Sequence, residues 1–191
     1  SSRWSRFLGN IYRGKGEFDK AFEAYEESLE IIDKYEAGPE SNPYANSLLM
    51  LGHVKTFSGE YDEAREYYDQ GIAVSNNYWQ FSIGIQKCQT YMYQRDFANA
   101  IYYLSELQNK VGDMDEEEIQ KTNWKYWAEF NKFLAFGHSQ RDAETLTTMK
   151  NMEELNNKAL EIRLQNASSD NQKQRIVLDV KQEIMSNQIW Y

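Results

Sequence analysis

An all-α fold built from antiparallel helix hairpins is what this sequence predicts, on three observations. Apolar and small residues recur at helical spacing through most of the chain, as in Phe18, Ala21, Phe22, Tyr25, Leu29 and Ile32. Only two prolines and ten glycines interrupt 191 residues, and the glycines gather where one helical stripe ends and another begins. The stretch from Leu51-Gly52-His53 through Phe57-Ser58-Gly59 to Ala64 and Gly71 reads as a helix, a tight turn and a second helix folded back on the first. Gly59 supplies the left-handed backbone at that turn. Tyr61, Ala64, Tyr68 and Gly71 make one stripe alternately aromatic and small, so a neighbouring helix can approach closely between the rings.

The first hairpin spans residues 2–36, with its turn at Gly16 and a long second helix. Gly-Pro and Asn-Pro steps in Ala37-Gly38-Pro39-Glu40-Ser41-Asn42-Pro43 stop that helix. The second hairpin covers about 44–76. In the third, about 78–112, Asp96-Phe97-Ala98-Asn99-Ala100 replaces Glu60-Tyr61-Asp62-Glu63-Ala64 at a shift of 36 residues. Cys88 and Arg95 stand there at the places of Gly52 and Gly59, and Cys88 reads as a buried structural thiol. In a fourth hairpin, about 115–166, Asp113 or Asp115 caps a helix through Trp124, Trp127, Phe130, Leu134 and Phe136. Its turn is expected near Gly137-His138-Ser139. A terminal helix, 170–190, is capped by Asp170 and carries Ile176, Val177, Val180, Ile184 and Ile189.

The Leu51-Gly52 pair, the turn glycine Gly59 and Ala64 followed by Tyr68 resemble the tetratricopeptide repeat. Trp4, Leu8, Gly9 and Tyr12 stand in the same order near the start, one residue longer after the tryptophan. The resemblance is specific over 4–72, looser over 78–107 and architectural beyond. It implies a right-handed superhelix of about four hairpins plus a C-terminal helix, one repeat domain over 1–191. A start without methionine and the abrupt apolar end Ile189-Trp190-Tyr191 read as a segment of a longer chain.

Composition narrows the function classes. A net charge of -9 repels phosphate backbones, so nucleic acid is not an expected partner. No run of 18 apolar residues exists to insert into a membrane. A cytoplasmic location is expected, with an exported, signal-cleaved origin as the alternative. One cysteine rules out an intrachain disulfide. Enzyme signatures are missing: there is no Gly-x-Ser-x-Gly, phosphate loop, His-Glu-x-x-His or Cys-x-x-Cys. The acidic run Asp113 to Glu118 lacks the glycine and glutamate of a calcium loop, since Glu118 and Trp124 occupy those places. The expectation is a chain without catalytic residues, metal or cofactor.

In stacked hairpins the first helices line an inner groove. If the family geometry carries over, the groove holds Arg3, Arg6, Asn10 and Arg13 from the first repeat, Asn46, Leu49, His53 and Phe57 from the second, and Gln89, Met92 and Tyr93 from the third. Residues 1–15 contain Arg3, Arg6, Arg13 and Lys15 and no acid, whereas 17–40 hold nine acids. These arginines either pair with acids of the adjacent second helix or hold a ligand. Arg6 and Asn10 resemble half of the clamp by which some family members grip acidic tails, but Met50, Ser82 and Gln86 stand where its other groups belong. The expected function is a scaffold binding a protein or peptide, with an acidic segment as a candidate ligand. The alternative is a sensor or oligomerisation segment of a longer regulator or enzyme, self-associating through the terminal helix.

Overall fold

The computed structural model describes the backbone of residues 1–188 and the side chains of residues 1–179. In order, the helices are α1 (Ser2–Gly14), α2 (Phe18–Tyr35), α3 (Asn42–Phe57), α4 (Tyr61–Ala73), α5 (Asn77–Tyr93), α6 (Phe97–Asp113), α7 (Glu118–His138), α8 (Asp142–Gln165) and α9 (Asp170–Gln188). No strand occurs among the described residues, and the fold class is the all-α, α-α superhelix class that the repeat predicts. The expectations placed on Val180 and Ile184, and on Ile189, Trp190 and Tyr191, lie outside the described side chains.

Four hairpin turns share one construction. Gly16, Gly59, Arg95 and Gln140 take φ of 76°, 80°, 60° and 58°. In each turn the next residue's N–H reaches back to a carbonyl five positions earlier: Glu17 to Tyr12, Glu60 to Lys55, Asp96 to Tyr91 and Arg141 to Phe136, at 2.8–3.0 Å. The left-handed residue itself donates to the carbonyl three positions back, which completes a Schellman closure of the first helix. The carbonyls of Glu17, Glu60, Asp96 and Arg141 then accept the first bond of the second helix. Two of the four positions are not glycine, yet the hydrogen bonds hold them in the left-handed well. The fourth turn therefore pivots on Gln140, just past the Gly137-His138-Ser139 triplet expected from sequence.

The chain divides into two compact units, Ser1–Leu107 and the remainder from Gln108. In the first, each hairpin closes on a small residue facing a large one. A Cβ on Gly9 would lie 2.5 Å from the Tyr25 ring, and one on Gly52 would lie 2.3 Å from Tyr68, so only glycine admits the two rings. The cores run continuously between hairpins: Ala21 and Tyr25 pack with Leu51 and Val54, and Ala64 and Tyr68 pack with Ala45, Leu49 and Ile83. The third hairpin closes on Cys88, Ala100 and Leu104, with the Cys88 thiol donating to the Ala100 carbonyl at 3.6 Å. Burial pushes that thiol up to about 12, which keeps it protonated and unreactive.

In the second unit α7 packs along α8, and Trp124, Ala128, Ala135, Phe136 and Ala159 of these helices are buried. Thr122, Glu129, Asn131 and Thr148 of these two helices are also buried. Glu129 is satisfied by Lys132 and by the Asn151 amide, each at 3.2 Å, and Lys132 also donates to Gln108. Helix starts differ slightly from expectation. α6 runs through Asp113, so that residue cannot cap the next helix, and α7 begins at Glu118. At α9 the Ser169 hydroxyl accepts the Gln172 N–H, one residue ahead of the expected Asp170 cap.

Candidate functional site

Three first helices of the Ser1–Leu107 unit enclose a cavity of about 440 Å³. Asn10, Arg13 and Gly14 come from α1, His53, Thr56 and Phe57 from α3, and Gln86, Gln89 and Tyr93 from α5; Tyr68 of α4 reaches the wall from behind. Repeat spacing produces this convergence. Phe57 and Tyr93 each stand two residues before a left-handed turn, so both rings fall at the same rim position of successive hairpins. His53 and Gln89 are likewise equivalent, one helical turn deeper.

A hydrogen-bonded row crosses the cavity. The Arg13 guanidinium stands 3.1 Å from His53 Nδ1 and donates to the Met50 sulfur at 3.7 Å. Arginine has only donors, so Nδ1 must be an acceptor and the imidazole proton sits on Nε2. Nε2–H then donates to Gln86 Oε1 at 3.1 Å. Desolvation, with the Arg13 charge adding to it, pulls His53 down to about 4 against the opposing Gln86 bond. The imidazole is neutral at pH 7, and Arg13 supplies the only formal charge in the lining. The two tyrosines wedged against Gly9 and Gly52 keep their hydroxyls on this side. Tyr25 donates to Asn10 Oδ1 at 2.8 Å, and the Tyr68 hydroxyl meets that of Thr56 at 3.0 Å. Burial raises Tyr68 to about 12, so it too is uncharged.

The rim is aromatic and open. Phe57 is 60% exposed and stacks on Phe18 with centroids 6.0 Å apart; Tyr93 is 58% exposed and stacks on Tyr61 at 6.3 Å. Both rings are braced by a neighbour while keeping a free face for a ligand.

Of the eleven residues expected in the groove, Asn10, Arg13, His53, Phe57, Gln89 and Tyr93 line this cavity. Leu49 instead lies in the core with Ala45, Ala64, Tyr68 and Ile83, and Met92 packs partly buried on the cluster of Cys88, Ala100 and Leu104. Arg3, Arg6 and Asn46 lie outside the cavity lining. Neither Arg3, Arg6 nor Arg13 forms an ion pair with an acid among the described residues, although the Arg6 charge is one of several that hold Glu36 below the usual range, after its bonds from Ser2. The expected groove lacks Gly14 and Tyr68, and it names Gln86 only as a departure from the clamp. Gln86 is one helical turn before Gln89, a spacing that puts both on one face, and Tyr68 had been assigned wholly to packing.

No group of three or more His, Cys, Asp or Glu side chains is placed to hold a metal ion among the described residues. No helix among them is long and apolar enough to cross a membrane.

Comparison with known proteins bears on the fold. No curated protein matches the sequence. Among solved structures, BtubC (BKLC) from P. vanneervenii superposes with a TM-score of 0.64 at 14% identity, covering 88% of this chain and 66% of its own. The present chain thus spans just under two thirds of BtubC. A double mutant of MamA RS-1 gives 0.55 at 11% identity, covering 97% of both chains. A Podosopora anserina protein described as a kinesin light chain with nearly identical TPR-like repeats gives 0.54 at 15% identity, covering 97% of this chain and 88% of its own. Such identities establish likeness of fold. The sequence model of the tetratricopeptide repeat matches residues 2–77, the first two hairpins. The first two hairpins thus match the tetratricopeptide repeat, and the four like turn closures and the solved neighbours show that the fold of the chain is similar to that of helical-repeat proteins.

Proposed function

We propose that the chain is a non-catalytic scaffold whose Ser1–Leu107 unit binds an extended segment of a partner protein in the cavity of α1, α3 and α5. Tetratricopeptide repeats commonly mediate protein–protein interaction, and the observation that carries the finer reading is the cavity itself. Its floor offers Arg13, Asn10, Gln86 and Gln89 for hydrogen bonds, and its rim offers Phe57 and Tyr93 as exposed apolar anchors. A peptide backbone needs donors and acceptors at the floor, and its side chains need ring faces at the rim. Arg13, with no carboxylate partner, favours a segment that brings an acidic group, because a buried-side guanidinium gains a charge-assisted bond there.

The lining argues against acid–base chemistry. His53 is neutral with both nitrogens engaged, and no carboxylate faces it. The alternative of a sensor or oligomerisation segment rests on Ile189, Trp190 and Tyr191, outside the described residues.

Selection of binders from a random peptide library tests the proposal, with Phe57→Ala/Tyr93→Ala as counter-screen. Both rings are exposed, so helicity should be unchanged. Peptides that bind the parent and lose about tenfold or more on the double variant support the cavity. Peptides indifferent to the variant place recognition elsewhere.

A further inference from the structure

α1 has a second face that the cavity does not use. Trp4, Phe7, Leu8 and Ile11 fall at i, i+3, i+4 and i+7, a single apolar stripe, and all four are exposed, Trp4 to 69%. Trp4 and Phe7 pack edge to face on one another at 5.9 Å. α1 lines the cavity with Asn10, Arg13 and Gly14 instead, so the two faces are distinct.

Repeat equivalence shows what shape of object fits the stripe. Counting from the turns, the same positions are Ser47, Met50, Leu51 and Val54 in α3, and Ile83, Gln86, Lys87 and Thr90 in α5. Met50 and Gln86 border the cavity side, while Ser47, Leu51, Val54, Ile83, Lys87 and Thr90 meet the second helix of the preceding hairpin. Leu51 and Val54 pack on Ala21 and Tyr25 of α2, and Ser47 bonds Ser28 of α2 at 3.2 Å. Ile83 packs on Ala64 and Tyr68 of α4, with its tip against Gly71, and Thr90 accepts a bond from Arg65 of α4 at 3.1 Å. The stripe on α1 is the same slot with four apolar side chains.

Charge selects among helices. Residues 1–15 hold four cations and no acid. Arg3 and Lys15, exposed and without an ion pair among the described residues, stand at the two ends of the stripe. Where α4 covers α5, a cation of the covered helix pairs with an acid of the covering one, Lys87 with Asp69 at 2.6 Å. Like charge on two copies of α1 disfavours their pairing face to face. We propose that the Trp4–Ile11 stripe of α1 is a docking surface for an amphipathic helix with small residues on its buried stripe and carboxylates on its flanks, the chemistry of α4.

The probe is a fluorescent, helix-stapled peptide of residues 60–76, carrying Ala64 and Gly71 on its stripe and Glu60, Asp62, Glu63, Glu66 and Asp69 around it. Anisotropy titration on the intact chain should give saturable binding. Phe7→Ala/Leu8→Ala should lower the affinity about tenfold or more, with circular dichroism unchanged because both side chains are exposed. A peptide with its acids changed to amides should bind about fivefold more weakly, and the difference should vanish at high salt. Three results overturn the proposal: no peptide binding, binding indifferent to the double variant, or phosphatidylserine vesicles taking the place of the peptide in every variant-sensitive response. A dimer in sedimentation that Phe7→Ala/Leu8→Ala abolishes, without peptide binding, overturns it in favour of self-association.

Discussion

The second hairpin and the third make the same close helix contact with different side chains. In the second, Gly52 lets the Tyr68 ring lie where a Cβ would be, and the tyrosine hydroxyl passes through to bond Thr56 at the cavity. In the third, Cys88 faces Leu104, a larger residue opposite a smaller one, and nothing polar emerges. Packing tolerates either pair because the summed volume is what must be kept. The chemistry does not survive the exchange. In the first two hairpins the Tyr25 hydroxyl holds the lining residue Asn10 and Tyr68 itself lines the cavity, while the third adds Gln86, Gln89 and Tyr93 of its first helix. The difference teaches that the repeat contact carries the fold, and that its glycine–tyrosine version also builds the polar side of the site.

The harshest way to break the comparison is Gly52→Ala. The new methyl would overlap the Tyr68 ring, whose tip is fixed by Thr56, so a loss of about 3 kcal/mol is expected in urea unfolding. A loss under about 0.5 kcal/mol would show the ring free to move aside. Exchanging the pairs is gentler and more informative. Leu104→Tyr should overpack against Cys88 and lose about 1–3 kcal/mol, and Cys88→Gly should lose about 1–2 kcal/mol through the space it leaves. Together they rebuild the glycine–tyrosine contact, so the double variant should be more stable than the sum predicts by at least about 1 kcal/mol. Strict additivity would mean that the third hairpin closes by some other contact.

A smaller effect separates the two hairpins by pH. Tyr68 lies edge-on to His53 at 6.1 Å and helps bury it, whereas the equivalent Gln89 has no charge to gain. His53 sits at about 4 in the folded chain against 6.5 for the free group. The unfolded chain therefore takes up its proton first, and the stability tied to neutral His53 is complete above about pH 6.5 and is lost as pH falls toward 4. Between pH 7 and pH 5 that loss is about 2 kcal/mol. His53→Gln should remove most of it. The His53 resonance, assigned by its loss in His53→Gln, titrating near 6.5 in nuclear magnetic resonance would contradict the burial.

Sequence legibility follows the same division. Gly9, Gly52, Ala21, Ala64 and the two tyrosines announced the first two hairpins because each does one job that few residues can do. The third turn is legible at Arg95 only by its alignment with Gly59, and Gln140 hid the fourth, since the hydrogen bonds rather than the side chain fix their backbone. The α7–α8 register was obscured because Thr122, Glu129, Asn131 and Thr148 are buried there, and a polar residue inside looks on a helical wheel like one outside. At the site, the groove geometry implied by the resemblance named Asn10, Arg13, His53, Phe57, Gln89 and Tyr93, and these six line one cavity. It misplaced attention on Leu49 and Met92, whose faces turn into the core by a fraction of a turn that spacing alone does not resolve. The Arg13–His53–Gln86 row depends on three helices at once and has no signature in any one of them.

The central claim is that a partner's segment sits in the cavity of α1, α3 and α5, and photo-crosslinking from inside and outside it tests that claim most directly. Tyr93→p-benzoylphenylalanine places the probe at the rim, and Tyr102→p-benzoylphenylalanine places it at an equally exposed point on α6, away from the cavity lining. In native extract the account predicts a discrete protein adduct from position 93, absent from position 102 and lost when Phe57→Ala is added. An adduct from position 102 alone, or one from position 93 indifferent to Phe57→Ala, would contradict it.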